Sequence, residues 1–184
     1  MLLASLKQET TQLHQRIENS LDLFRNDFTL EDYRFLLVRF YGYYSPWEKR
    51  AAVTAPYLVA PRAKCGNLAR DLGFLGMSRE QILSIECCEH LPPLDTAARV
   101  LGSMYVLEGA TLGGRILLRQ MRSRFGLNEA GCAFFSGYGE RTGAMWKQFG
   151  RIVESSPPHW RPEIVSTAIA TFETLGRWLG VPQV

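Results

Sequence analysis

Apolar residues return every three or four positions along almost the whole chain, and no stretch alternates cleanly between apolar and polar. A period of 3.6 puts one apolar stripe on each helix, whereas a half-buried strand needs a period of two, so this chain can bury its apolar side chains only as packed helices. Leu6, Leu13, Ile17 and Leu21 mark a first helix over about residues 2–21. Thr29 and Asp32 have capping-box spacing and open a long second helix carrying Tyr33, Leu36, Leu37, Phe40, Tyr44 and Trp47, which Pro46 is expected to kink or end. Pro61 starts a short third helix that passes Leu68 and Leu72 and stops near Gly73. Ser78 and Gln81 repeat the capping-box spacing, and the helix they open fades at Cys88, ahead of Pro92 and Pro93. Asp95 is expected to cap a helix running to about Phe125, with Gly126 as its left-handed stop. A further helix covers about 140–154, and the last runs from Pro162 to Gly180. There is no internal repeat, long linker or charge block, so one all-α domain is expected over residues 1–184.

Bulk properties exclude more than they select. A chain that is 46% hydrophobic and 21% charged has the material for a core and is not a disordered chain. Charges interrupt every apolar run well before the roughly 18 residues that span a bilayer, so no membrane partner is expected. The start has no basic segment, and Lys7 and Glu9 fall where a signal peptide would be apolar, which makes the cytoplasm the expected location. A formal charge of +3, spread over 21 basic and 18 acidic residues, does not predict nucleic-acid binding and suits a small anionic ligand equally well. Cys65, Cys87, Cys88 and Cys132 make no Cys-x-x-Cys and no spaced zinc set, and read as reduced, partly buried thiols.

Residues 101–117 break the helix rule most sharply. Gly102, Gly109, Gly113 and Gly114 sit inside an otherwise good helix, where each costs about 1 kcal/mol against alanine. At about 100° per residue, Ala98, Gly102, Gly109 and Gly113 share one face, a bald stripe where backbone can touch whatever lies against it. Close helix packing and close approach to a flat ligand both explain such a stripe. No Gly-Lys-Ser/Thr follows, so it is not a P-loop, and Gly137, Gly139 and Gly143 lack dinucleotide spacing.

Two further features stand out. Lys7, His14, Glu18 and Leu21 lie along one side of the first helix, because steps of seven and four residues return to nearly the same angle. A lone histidine beside Leu13 and Ile17 is more often structural than a ligand, while His90 and His159 belong to Pro-rich loops. Lys147 and Arg151, at i and i+4, repel each other slightly unless an anion lies beside them; a solvated basic face, which also accounts for Arg141, explains them too. Glu86, Glu89 and His90 are too clustered for a di-metal carboxylate site, which draws on several helices.

Taken together, the three features resemble the heme oxygenase family over nearly the whole chain. LKQETTQLHQRIEN, residues 6–19, is similar to the proximal-helix motif, and implies His14 as proximal ligand of heme iron with Glu18 as its neighbouring carboxylate. LEGATLGG resembles the kinked, glycine-rich distal helix, with Gly109 and Gly113 against the heme. MWKQFGR is similar to the segment that contacts the propionates, a role the resemblance extends to Lys147 and Arg151, with Lys7 from the first helix. The Tyr-Val-Leu-Glu-Gly form is most like the bacterial branch often found beside bacteriophytochromes. The family's fold is a helical bundle with heme between the proximal N-terminal helix and the distal helix. One position departs from the pattern: many members carry an aspartate directly after the first distal glycine, and here it is Ala110. Glu108 is a poor substitute, lying about 100° away around the helix.

The implied activity is oxidative cleavage of heme, both cofactor and substrate, to biliverdin, carbon monoxide and ferrous iron. A neutral His14 would ligate the iron and leave the opposite face open. Gly109 and Gly113 would let backbone crowd the reacting oxygen and steer it toward a meso carbon. Lys7, Lys147 and Arg151 would hold the propionates and so set heme rotation. No flavin or nicotinamide motif is present, so electrons are expected from an external donor, whether ferredoxin, reductase or small reductant. A bacteriophytochrome is an expected receiver of the biliverdin. Two other readings stay open on the residues: a carrier or sensor that keeps heme intact, favoured by Ala110, and a helical interaction module without cofactor. A metal-dependent oxidase or hydrolase finds no suitable ligand set or triad.

Overall fold

A computed structural model describes residues 1–182, apart from the side chain of Arg115. Among these, the chain forms nine α-helices and no strand: α1 Leu2–Leu21, α2 Leu30–Thr54, α3 Pro56–Val59, α4 Cys65–Phe74, α5 Arg79–Leu83, α6 Ala97–Phe125, α7 Ala133–Ser136, α8 Thr142–Glu154 and α9 Arg161–Trp178. A single helical domain results, with one apolar core running from Leu2 and Leu6 through Tyr33, Leu37, Tyr43 and Tyr44 to Met104, Phe149 and Ile164. No helix is long and apolar enough to cross a membrane among the described residues. The four thiols are free; Cys88 and Cys132 are buried, Cys65 half-buried and Cys87 exposed.

The long helices keep their sequence-predicted limits because their signals are local. Thr29 and Asp32 make a complete capping box at the head of α2, and Gly126, at φ 64°, takes the left-handed stop of α6. Pro46 neither ends nor breaks α2, which runs eight residues past it to Thr54. A proline cannot bond the carbonyl four residues back, and that carbonyl, on Gly42, instead accepts the N–H of Cys88 at 2.8 Å. Gly42 makes this possible: a β-carbon there would collide with the Glu86 carbonyl. The same docking explains why α5 stops at Leu83 instead of fading at Cys88.

Three other limits shift for tertiary reasons. Thr96, not Asp95, caps α6, accepting from the Arg99 N–H at 3.1 Å, while Asp95 pairs with the Arg99 guanidinium at 2.6 Å. Pro61 falls in a 3-10 turn over Ala60–Arg62, and the third long segment begins only at Cys65. The short α7 had no sequence signal. Its first two N–H groups, on Ala133 and Phe134, donate to the fully buried Asp71 carboxylate at 2.8 Å each, so its cap comes from a residue 62 positions earlier.

α1 and α6 scarcely touch each other, and both lie along α9. The α6–α9 seam is the most extensive in the molecule. α8 closes one end: Glu154 accepts the N–H groups of Leu2 and Leu3 at 2.9 Å each and so caps α1 from outside it. The bond from Leu3, with that from Leu2, holds the Glu154 carboxyl below its usual range. A depressed carboxyl adds stability above its unfolded pKa and loses it as pH falls through the folded one. Glu154→Ala should therefore cost about 1 kcal/mol at neutral pH, the size of a lost cap. The difference from wild type should shrink toward zero below the glutamate range, as urea unfolding at neutral and acid pH will read.

Candidate functional site between the first and sixth helices

The four glycines of α6 separate into two kinds. A β-carbon on Gly102 would collide with the Ile164 carbonyl of α9, and one on Gly114 with the Phe135 carbonyl of α7. These two are packing glycines, and Gly102 thereby leaves the ligand-facing stripe. Gly109 and Gly113 are different. A β-carbon at Gly109 would make only an ordinary contact, 4.0 Å from the Trp146 ring, and one at Gly113 would meet nothing within 4 Å. No neighbour among the described residues requires glycine at either position. Packing against the described residues therefore does not account for the helical cost of these two glycines.

Contacts fix what faces these two glycines. The Tyr105 hydroxyl of α6 lies beside Thr10 of α1. Thr10 itself donates to the Leu6 carbonyl at 2.7 Å. α1 runs parallel to α9, with His14 against Phe172 and Ile17 against Gly176. α6 and α9 both run antiparallel to α2: Tyr44 meets Leu107, Trp47 meets Ser103, and Tyr43 meets Thr171. α1 and α6 are thus parallel, and four residues beyond the Thr10–Tyr105 contact, roughly 6 Å along both axes, His14 and Gly109 come level. Gly113 follows one turn further on. The two helices therefore frame a candidate slot along α9, with His14 on one side and Gly109 and Gly113 level with it on the other.

His14 is half-exposed, at 53% of its side chain, and rests edge-on against the buried Phe172 ring with centroids 5.8 Å apart. Its Nδ1 faces Glu18 Oε2 at 3.5 Å. A carboxylate on that side favours the proton at Nδ1, which leaves the Nε2 lone pair as the outward donor, the arrangement of a metal-ligating histidine. Trp146 of α8 lies at the Gly109 end of the slot, its ring tilted against Tyr105 at 5.9 Å and Phe149 at 5.7 Å. The slot is open-sided, as the exposure of His14, Ala110 and Gly113 shows.

α8 runs antiparallel to α1, since Glu154 reaches Leu2, Gly150 meets Leu3, and Trp146 meets Tyr105 beside Thr10. Lys7 is therefore level with residues 147–150. Lys7, Lys147 and Arg151 are all exposed, and none has an ion-pair partner among the described residues, so an anion at this end would have three uncommitted cations within one region. A groove of about 380 Å³ lies elsewhere, between Leu2 and Ser5 of α1 and Val165 and Ile169 of α9, and holds none of these residues. His90 and His159 are exposed, and no group of three His, Cys, Asp or Glu that could hold a metal ion occurs among the described residues.

Sequence reasoning missed the aromatic end of the slot. Trp146, Tyr105 and Phe172 come from three helices, and nothing in their local spacing joins them. It also missed the surroundings of Glu108, which is buried against Arg62, Lys64 and Tyr138.

The family model described as heme oxygenase matches residues 1–180. Among solved structures, the nitric oxide- and carbon monoxide-bound heme oxygenase from Neisseria meningitidis superposes with a TM-score of 0.75 at 17% identity, covering 99% of this chain and 94% of that one. The shared architecture is the fold alone. No curated protein matches the sequence.

Proposed function

Because the chain belongs to the heme oxygenase family, we propose that it cleaves heme with dioxygen and external electrons to biliverdin, carbon monoxide and ferrous iron. What supports this most is that His14 stands level with Gly109 and Gly113 on parallel helices, the two glycines having no neighbour among the described residues that demands them. Heme, when bound, supplies the iron at which oxygen is activated. His14 would hold that iron through Nε2, with Glu18 orienting the ring from Nδ1. Gly109 and Gly113 would let the α6 backbone lie close to heme, where a side chain would take up room beside it. Trp146 would exclude water from the Gly109 end. Ala110 offers no acid, so protons would come from solvent water, which the carbonyls of α6 could order by accepting its hydrogen bonds.

Lys7, Lys147 and Arg151 would hold the two propionates and so set the seating of heme. Electrons come from a ferredoxin, a reductase or a small reductant, and a bacteriophytochrome receives the biliverdin. Four free thiols fit the reducing cytoplasm assigned by the same reading.

Reconstitution with hemin, followed by a reductant in air, tests the reaction. Loss of the Soret band with growth of a biliverdin spectrum is expected. A persistent Soret band would make the protein a carrier or sensor, and hemin binding no better than to an unrelated helical protein would leave an interaction module. In the same assay the Lys147→Ala, Arg151→Ala double variant should hold hemin about tenfold more weakly or change the biliverdin isomer mixture, with thermal unfolding unmoved because both residues are exposed.

A further inference from the structure

Three buried charges meet at Glu108, about 100° around α6 from Gly109. Glu108 is 3% exposed, Lys64 3% and Arg62 6%. Both carboxylate oxygens are engaged. Oε2 accepts from Arg62 Nη1 at 3.1 Å; Oε1 accepts from Lys64 Nζ at 3.1 Å and from the Tyr138 hydroxyl at 2.7 Å. Lys64 also donates to the Tyr138 hydroxyl at 2.5 Å and to the Arg62 carbonyl at 2.8 Å, and the Glu48 carboxylate accepts the Lys64 N–H. Burial pulls the Lys64 ammonium below its usual range, against the pull of Glu108. Apolar side chains of similar volume would stabilise such a position as well or better, so charge here is explained by geometry more than by stability.

The geometry it sets reaches the slot. Glu108 directly precedes Gly109. Arg62, while bound to Glu108, also donates to α8, from Nη1 to the Met145 carbonyl at 3.4 Å and from Nη2 to Gln148 Oε1 at 3.2 Å. Met145 and Gln148 bracket Trp146, the ring nearest Gly109, and Lys147. One guanidinium therefore ties the glycine segment of α6 to the cationic segment of α8. Few arrangements of the two helices satisfy all these donors at once, which restricts sliding of one against the other.

We propose that Glu108, held by Arg62, Lys64 and Tyr138, is a positioning residue that sets the offset between the glycine face of α6 and the cationic segment of α8, and through it the in-plane rotation of bound heme. This rests on the functional reading above. Its effect is on which meso carbon is presented, not on whether heme binds.

The test uses the full chain with hemin and three variants. Glu108→Gln removes the charge, Tyr138→Phe removes one hydroxyl, and Gln148→Ala cuts only the outer link to α8 at an exposed residue. Heme-methyl proton shifts of the ferric complex read the seating before any turnover, and the biliverdin isomer ratio reads it afterwards. All three variants that bind hemin should show a changed methyl pattern, with the isomer ratio moved at least about threefold in Glu108→Gln or Tyr138→Phe. Unchanged patterns and ratios in hemin-binding variants, with only the unfolding temperature lowered, would overturn the proposal and leave the cluster structural. If Glu108→Gln does not fold, Tyr138→Phe and Gln148→Ala decide by the same readouts. A wild type that binds hemin but yields no biliverdin would sink the functional reading alone, since the methyl shifts still decide the seating.

Discussion

His14→Ala should leave a folded protein whose hemin complex has lost the low-spin imidazole signature and whose heme-cleaving rate has fallen about a hundredfold or more. The fold should survive because the side chain is half-exposed and its one ring contact is an edge against Phe172, worth no more than about 1 kcal/mol. The chemistry should not survive, since no other histidine is near: His90 and His159 sit in exposed segments outside the slot. Added imidazole should restore part of the spectrum by refilling the space left between Phe172 and the iron. Glu18→Ala should act in the same direction but less, about tenfold or under, because it removes the ring's orienter and not the ligand. An unaltered spectrum in His14→Ala would mean that the iron is held elsewhere.

The second large effect divides glycines that look alike in sequence. Gly102→Ala should destabilise the hemin-free protein by about 1–3 kcal/mol, because its β-carbon drives into the Ile164 carbonyl on the most extensive helix seam. Gly113→Ala meets nothing and should be neutral or stabilising by up to about 1 kcal/mol, the helix-propensity gain of alanine over glycine. In the hemin assay the order reverses. Gly113→Leu should retain its fold and lose most of its oxidation rate, whereas surviving Gly102→Ala protein should turn over at close to the normal rate per folded molecule. Urea unfolding without hemin and single-turnover oxidation with it give the two rankings. Equal loss of stability at both positions would return Gly113 to a packing role.

Local chemistry was legible and remote chemistry was not. The Thr29–Asp32 box, the Gly126 stop and the long stripe of α1 are satisfied within one or two turns, so their residues announce themselves. Pro46 misled because the partner for the carbonyl it orphans is Cys88, more than forty residues on. α7 was invisible because its cap, Asp71, belongs to another helix. In the site the same division holds. His14 and Glu18 are one turn apart on a single helix and readable as a pair, and Lys147 with Arg151 likewise.

Helical periodicity, the His14–Glu18 step and the run of glycines were determined by the sequence alone, since each depends on spacing along one helix. Which glycines face open space, which aromatics lie at the slot, and what becomes of Glu108 were decided by tertiary structure. Steric demand and burial are properties of the neighbours a residue meets. Gly102 and Gly113 stand on nearly the same line of α6, and only the Ile164 carbonyl opposite one of them tells the two apart.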